Sequence, residues 1–287
     1  MHPSELRSWL RSELDLQVVS LQPVPAAVQC PAFRVSCRDG AEYFCKTDPE
    51  ARGLLQSEYE ALEVLRHHGA LRVPQPILGN EQVLVMEFIQ AHWPSTVFWQ
   101  RLGEGLARLH RSSGPWGWPK DNFIGRTPQY NLWDRAQGGW PHFFWERRLL
   151  PQIETLRSSS QQLGLHDKLL QQLEERCVEL LSPVEELPSL VHGDLWSGNI
   201  ICGPGDEPFL IDPSLYYGHR ETDLAMTQLF GGFGRDFYQA YSEAWHLRSG
   251  HESRLPLYQL YHILNHANLY GLAYHRQVVD RITSLVQ

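Results

Sequence analysis

The chain has 287 residues, enough for one large domain or for two lobes with separate cores. Its 42% hydrophobic and 20% charged residues are typical of a globular protein, and a net charge of −8 without a Lys or Arg cluster argues against a nucleic-acid partner. No apolar run reaches the roughly 18 residues that span a bilayer, and the amphipathic stretch MHPSELRSWLRSELDL is no signal peptide. We therefore expect a cytoplasmic protein with no membrane partner.

The first third of the chain predicts a small lobe of sheet plus helix. A helix is expected from Ser4 to Leu14, followed by the extended runs LQVVSLQ, AFRVSC and EYFCKT. A second helix covers SEYEALEVLRHH and stops at Gly69, and two more strands follow, the last of them QVLVMEF. These elements predict an antiparallel sheet with one helix packed on it.

Helices dominate from Ser95 onward. They are predicted over residues 95–110, 141–157 and 166–181, with more near the C-terminus. The segment LVHGDLWSGNIICGPGDEPFLIDPSLYYG interrupts them with alternating strand and turn signals. The result is an α+β chain with an N-lobe over 1–90 and a mainly helical C-lobe over 91–287, joined by a hinge near Glu87–Trp93.

Three oxygen-bearing side chains in this segment indicate phosphoryl transfer. Asp194 follows an apolar strand in a Gly-containing turn, Asn199 comes five residues later, and Asp212 ends the strand FLID. Catalysis of this reaction is mainly positioning and charge neutralisation: one carboxylate takes the hydroxyl proton, while a carboxylate and an amide oxygen hold Mg²⁺ beside the nucleotide phosphates. Asp and Asn also favour turns, which is the alternative interpretation of each residue alone.

An upstream strand supplies a matching cation. Lys46 ends the strand EYFCKT and is predicted to pair with the phosphates of ATP, held by an acidic residue of the next helix. Glu58 and Glu60 are the candidates, and Glu58 is favoured because it lies beside the inward stripe of leucines. Main-chain groups of Met86, Glu87 and Phe88 are the candidate adenine contact.

Other patterns exclude competing chemistries. The cysteines are scattered and odd in number, which predicts buried free thiols rather than a disulfide framework. His262 and His266 stand four residues apart on a predicted helix, but Ile263 occupies the position of the catalytic base, which argues against a zinc metalloprotease. Neither a G-x-S-x-G elbow nor a G-x-G-x-x-G turn is present.

At these residues the sequence resembles the fructosamine kinase (ketosamine kinase) family, which is related to aminoglycoside and choline phosphotransferases. The resemblance rests on HGDLWSGN, IDPSLYYGHRETDLAM, DNFIG, TPQYNLW, the FFWERRL run and LVMEF, and it covers nearly the whole chain from about residue 16. It implies a bilobal, protein-kinase-like fold and the ATP-dependent phosphorylation of a sugar hydroxyl in ketoamines, free or protein-bound. In this family phosphorylation destabilises the adduct and releases the amine, a deglycation repair.

The resemblance also implies a role for each site residue. Asp194 is the proton acceptor, Asn199 and Asp212 the Mg²⁺ ligands, Lys46 the phosphate-binding lysine and Met86–Phe88 the adenine contact. His192 braces the loop, Trp196 packs near the substrate or shapes the loop, and Asp223 caps the helix that begins at TDLAM. We expect a monomer.

One departure from the family concerns the turn that covers the phosphates. Residues 23–30, PVPAAVQC, contain no glycine, although backbone amides cradle phosphate most closely where no side chain intervenes. This leaves open a nucleotide-binding protein without turnover. A phosphotransferase acting on an aminoglycoside or choline is the other alternative, which Leu195-Trp196 and Tyr216-Tyr217-Gly218 disfavour.

Overall fold

The computed structural model describes residues 2–25, 30–160, 163–184 and 186–287. Two compact units are present: Met1–Phe98 with Asn199–Pro213, and Trp99–Gly198 with Ser214–Gln287. The segment from Asn199 to Pro213 therefore groups with the N-terminal residues, although helix-rich sequence surrounds it. The division into lobes at residue 90 stays a prediction.

The helices and strands follow the predicted order. Up to residue 129 they are α1 (Pro3–Leu14), β1 (Val18–Pro23), β2 (Ala32–Cys37), β3 (Glu42–Thr47), α2 (Leu54–His68), β4 (Pro76–Gly79), β5 (Val83–Glu87), α3 (Thr96–His110), β6 (Asn122–Ile124) and β7 (Thr127–Gln129). Beyond it they are α4 (Trp140–Phe144), α5 (Leu150–Ser159), α6 (Asp167–Leu181), β8 (Ser189–Val191), β9 (Ile200–Gly203), β10 (Glu207–Leu210), β11 (Tyr216–Gly218), α7 (Glu221–Leu229), α8 (Arg235–Ala244), α9 (His251–Tyr270) and α10 (Leu272–Val286).

The first unit is built on a five-stranded sheet in the order β1-β2-β3-β5-β4, with every neighbouring pair antiparallel. Leu6 and Leu10 of α1 are buried against a core that includes Val35 and Val85 of the sheet. Helix α2 buries Leu62 and Leu65 and ends as predicted at Gly69, whose φ of 69° suits a left-handed cap. Strands β9 and β10 form a separate antiparallel hairpin in this unit.

The second unit is mainly helical. One continuous apolar core joins α4, α5, α6, α9 and α10, and β8 pairs with β11 in a short antiparallel ribbon. All five cysteines of the chain are buried thiols outside any disulfide, as predicted. In the described ranges no helix combines the length and the apolarity that a bilayer span requires.

One helix prediction was wrong in detail. The sequence predicted an uninterrupted α-helix over 141–157, but Trp145–Leu149 forms a π-helical turn between α4 and α5. Pro151 lies two residues after the end of this turn. It has no N–H to donate, which removes the normal i→i−4 hydrogen bond to residue 147. The wide turn places Arg148 in the core, where its guanidinium donates to the Asn131 side chain at 2.7 Å and the Tyr130 carbonyl at 2.6 Å.

Candidate active site

A buried ammonium group in the first unit donates hydrogen bonds to two carboxylates. The Nζ of Lys46, at the end of β3, lies 2.8 and 2.9 Å from the carboxylate oxygens of Glu58 on α2, and 2.5 Å from Oδ1 of Asp212. Glu60 instead accepts a hydrogen bond from the side chain of Gln56 at 3.0 Å. The pairing is therefore the one that the leucine stripe favoured.

This ion cluster keeps its lysine charged. Burial by itself lowers the pKa of Lys46, but the carboxylates of Asp212 and Glu58 raise it above its ordinary value. Burial raises the pKa of Glu58 to about 7, against the opposing effect of Lys46. One ammonium against two carboxylates leaves the ionised cluster with an excess of negative charge, which suits the approach of a further cation.

Asn199 and Asp212 lie at the same end of the β9–β10 hairpin. The backbone N–H of Ile211 donates to the carbonyl of Asn199 at 3.1 Å, continuing the ladder that pairs Leu210 with Ile200. Asp212 has a φ of 54°, a left-handed conformation that Asp tolerates better than most residues, and its side chain is 43% exposed. The hairpin thus joins the two predicted metal ligands, which are thirteen residues apart on either side of its turn.

The donor chemistry of this pair fits Mg²⁺. A carboxylate and an amide oxygen are hard ligands, and Mg²⁺ is usually held by one or two protein oxygens together with substrate phosphates and water. Among the described residues no three His, Cys, Asp or Glu side chains come together as a metal site. A metal ion at Asn199 and Asp212 would therefore depend on nucleotide oxygens for the rest of its coordination.

The loop that carries Asp194 belongs to the second unit and is held through its backbone. The N–H groups of His192 and Gly193 donate to the carboxylate of Asp223 at 2.7 and 2.9 Å, and the N–H of Asp194 donates to Nδ1 of His192 at 3.3 Å. Gly193 has a φ of 84°, and a Cβ added there would lie 2.1 Å from the carbonyl oxygen of Ser214. Only glycine fits this turn.

Asp223 is a residue whose role the sequence interpretation missed. The prediction that it caps a helix is wrong: α7 begins without a side-chain cap, and Asp223 is buried in its first turn. Burial alone would raise its pKa, but His110, whose Nε2 lies 3.1 Å away, and the amide of Gly193 hold the pKa below its ordinary value. Asp223 is therefore an ionised brace for the Asp194 loop, a role that no local sequence signal reveals.

Two further side chains surround this loop. The ring of Trp196 lies over Gly198, where an added Cβ would come within 2.3 Å of it, so Trp196 shapes the loop. On α9, Nδ1 of His262 lies 3.8 Å from Oδ1 of Asp194. His262, noticeable in the sequence for its i, i+4 spacing with His266, therefore has the predicted proton acceptor as its neighbour.

The predicted adenine contact lies at the end of β5. Met86 is buried opposite Phe44, and Arg34 stacks over the ring of Phe88 at 4.4 Å. The N–H of Glu87 donates to the carbonyl of Gln75 at 2.9 Å, so this amide is already engaged within the sheet. The adenine contact stays a prediction. In the glycine-free turn at 23–30, residues 26–29 lie outside the described part of the chain.

The sheet unit with its Lys46–Glu58 pair, the helical unit with the Asp194 loop and the hairpin ending in Asp212 define a protein-kinase-like phosphotransferase. A solved aminoglycoside phosphotransferase, in a ternary complex with streptomycin and ATP, shares this fold with a TM-score of 0.67 at 14% identity, covering 99% of this chain and 97% of that one. The candidate fructosamine-3-kinase of Thermobifida fusca is more similar, with a TM-score of 0.87 and 28% identity over 99% of both chains.

The sequence comparisons identify the family. The fructosamine kinase family profile matches residues 12–287. A Synechocystis protein named as a probable ketoamine kinase is 38% identical, covering 83% of this chain and 81% of its own length. The chloroplastic protein-ribulosamine 3-kinase of Arabidopsis thaliana is 35% identical, with 85% and 76% covered. The chain belongs to the fructosamine kinase family, and it is a kinase whose acceptor is a sugar hydroxyl.

Proposed function

We propose that this chain phosphorylates a ketoamine with Mg·ATP, using Lys46, Glu58, Asn199 and Asp212 to hold the nucleotide and metal and Asp194 to accept the hydroxyl proton. The observation that carries the assignment of roles is the buried ion cluster around Lys46. Its members come from β3, α2 and the end of the β9–β10 hairpin, and the hydrogen bond from Lys46 to Asp212 spans 166 residues of sequence. A strand-end lysine without a function has no need of a buried carboxylate and a second, half-exposed one.

Lys46 and Glu58 act on the phosphates. The ammonium of Lys46, held by Glu58 at 2.8 Å, is positioned to pair with phosphate oxygens of ATP, and Glu58 fixes its direction. Because both side chains are nearly buried, with 10% and 13% of their surface exposed, their attraction is screened little by water. The main-chain groups of Met86–Phe88 beyond the engaged amide of Glu87 are the proposed adenine contact.

Asn199 and Asp212 would hold the metal. A bound Mg²⁺ would supply positive charge that offsets the negative charge of the nucleotide phosphates. Asp212 has a left-handed backbone with a φ of 54°, and its side chain is 43% exposed, which leaves the carboxylate accessible to a metal ion. The strain of such a conformation persists where the surrounding structure requires it, here through the bond from Lys46.

Asp194 is the base for the hydroxyl group of the acceptor. The ketoamine hydroxyl oxygen forms a bond to the γ-phosphorus as the bond from that phosphorus to the β–γ bridging oxygen breaks, and ADP leaves. Asp194 takes the proton that the hydroxyl loses. Its loop is braced by Asp223 and by Gly193, so the carboxylate is held in place before the acceptor arrives. The product of this reaction is a ketoamine phosphate, whose breakdown releases the amine as deglycation.

The decisive assay follows ADP formation with free fructosyl-lysine and ribulosyl-lysine, and with the same adducts in a peptide. We expect turnover with a ketoamine, and none with choline or an aminoglycoside, the alternatives that the relatives do not favour. Asp194→Ala should lower kcat at least about 100-fold while calorimetry still detects Mg·ATP binding. Full turnover by Asp194→Ala would exclude this mechanism. Mg·ATP binding by the unaltered chain without turnover on any ketoamine would instead support a protein that only binds nucleotide.

A further inference from the structure

His262 presents a buried polar atom to the proposed proton acceptor. The side chain lies on α9 with 3% of its surface exposed, and its Nδ1 has no hydrogen-bond partner in the described part of the chain. The nearest carboxylate oxygen is Oδ1 of Asp194, at 3.8 Å. A buried nitrogen without a partner costs free energy, so its retention beside a functional carboxylate calls for an explanation.

An ion pair is not that explanation. Burial lowers the pKa of His262 to about 3, so the ring is neutral near pH 7. The other charged or titratable groups that act on the ring are His266 one turn along α9, Asp223 of α7 and Arg148 of the π-helical turn. His266 and Arg148 lower the pKa of His262 further. Asp223 raises it, but by less than burial lowers it.

The facing atoms decide which tautomer the ring adopts. A carboxylate oxygen only accepts hydrogen bonds, so an Nδ1 lone pair directed at Asp194 would be repelled by it. A hydrogen on Nδ1 converts the same approach into an attraction. At 3.8 Å the contact is too long for a hydrogen bond, and a shift of about 1 Å closes it. Bonds to a catalytic group are often this long before the substrate is bound.

We propose that His262 is a positioning residue for Asp194: its Nδ1–H donates to one carboxylate oxygen when the ketoamine binds and leaves the other oxygen facing the acceptor hydroxyl. This inference rests on the proposed role of Asp194. The neutral ring orients the carboxylate without neutralising it, so Asp194 keeps its capacity to take a proton. A charged partner in the same place would stabilise the carboxylate and weaken it as a base.

The test compares two substitutions that differ in the donor. In His262→Asn the side-chain amide can occupy the place of Nδ1 and donate, whereas His262→Leu cannot. We expect His262→Leu to lower kcat about tenfold, the scale of one hydrogen bond to a charged group, and to leave KM for ATP unchanged. His262→Asn should keep kcat within about threefold of the unaltered enzyme.

The matched control is His219, another buried neutral histidine of the same unit with an unpartnered ring nitrogen. His219→Leu should lower the melting temperature and the active fraction while leaving kcat per active site unchanged. In an Asp194→Ala background His262→Leu should have no further effect, because the group it positions is gone.

The outcomes separate the two ideas. Full kcat in a folded His262→Leu protein, or equal losses in His262→Leu and His262→Asn, would overturn the positioning role while leaving the role of Asp194 intact. Full kcat in Asp194→Ala would remove the proposed mechanism itself.

Discussion

The two carboxylates with proposed roles in catalysis and metal binding, Asp194 and Asp212, lie in opposite electrostatic settings. In the first unit Asp212 accepts a hydrogen bond from the Lys46 ammonium at 2.5 Å, and Lys46 also contacts the Glu58 carboxyl. In the second unit Asp194 faces a neutral His262, and its loop is fixed by backbone amides bonded to Asp223. The contrast suits the proposed roles, because a metal ligand functions as a stable anion, whereas a proton acceptor has to remain basic.

The substitutions with the largest expected effect test this contrast directly. Asp194→Asn should lower kcat by about 100-fold or more with Mg·ATP affinity unchanged, since it removes only the proposed proton acceptor. Asp212→Asn should weaken Mg·ATP binding as well, because it removes a proposed metal ligand and disturbs the Lys46 cluster. Single-turnover kinetics and calorimetry on both variants provide the check. Equal losses of nucleotide affinity in the two variants would remove the distinction between the carboxylates.

The next effect concerns the charge cluster. Lys46→Met leaves Glu58 buried beside Asp212 without a cation, and we expect it to lower the free energy of unfolding by about 3 kcal/mol. Adding Glu58→Leu should recover much of that loss. Urea denaturation measures both variants.

The control for that experiment lies in the same sheet. Arg34 and Glu42 form an ion pair with about a third of each side chain exposed, at 35% and 34%. Arg34→Met should leave the free energy of unfolding nearly unchanged, because exposed pairs contribute little. If Arg34→Met and Lys46→Met cost the same, burial is not what distinguishes the Lys46 cluster.

A smaller effect tests the backbone support of the Asp194 loop. Gly193→Ala puts a Cβ 2.1 Å from a backbone carbonyl at a φ of 84°, and we expect a loss of about 2 kcal/mol in stability together with lost turnover. Gly205 in the β9–β10 turn has a similar φ of 70° but nothing within 4 Å of an added Cβ. Gly205→Ala should therefore cost only about 1 kcal/mol and leave kcat intact. Wild-type kcat in Gly193→Ala would contradict the rigid loop.

The smallest effect is a pH dependence of stability in the second unit. Burial lowers the pKa of His219 to about 4, although Glu221 and Glu186 raise it. Below pH 6.5 the unfolded chain binds a proton at this histidine that the native state does not bind until about pH 4. Stability therefore falls as the pH falls, by about 1.4 kcal/mol per pH unit from this group. His219→Asn should remove that contribution, as denaturation at pH 6.5 and 5.5 would reveal; an unchanged slope would argue against a neutral buried ring.

The main helices, the sheet with its packed helix, the buried thiols and the family could be predicted from the sequence alone. The candidate site could also be proposed from it, because Asp194, Asn199 and Asp212 stand in local patterns of turns and strand ends. The choice of Glu58 over Glu60 succeeded for the same reason, since helical periodicity fixes which side faces inward.

The remaining contacts of the site join residues that are distant in the sequence, so they are visible only in the tertiary structure. The local sequence predicts that Asp223 starts a helix, yet its carboxylate accepts hydrogen bonds from backbone amides 30 and 31 residues away. The spacing of His262 and His266 resembles that of a metal-binding pair, yet His262 faces the loop residue Asp194. Periodicity predicts which face of a helix is buried, but which side chains meet across two packed elements depends on the packing of the whole core.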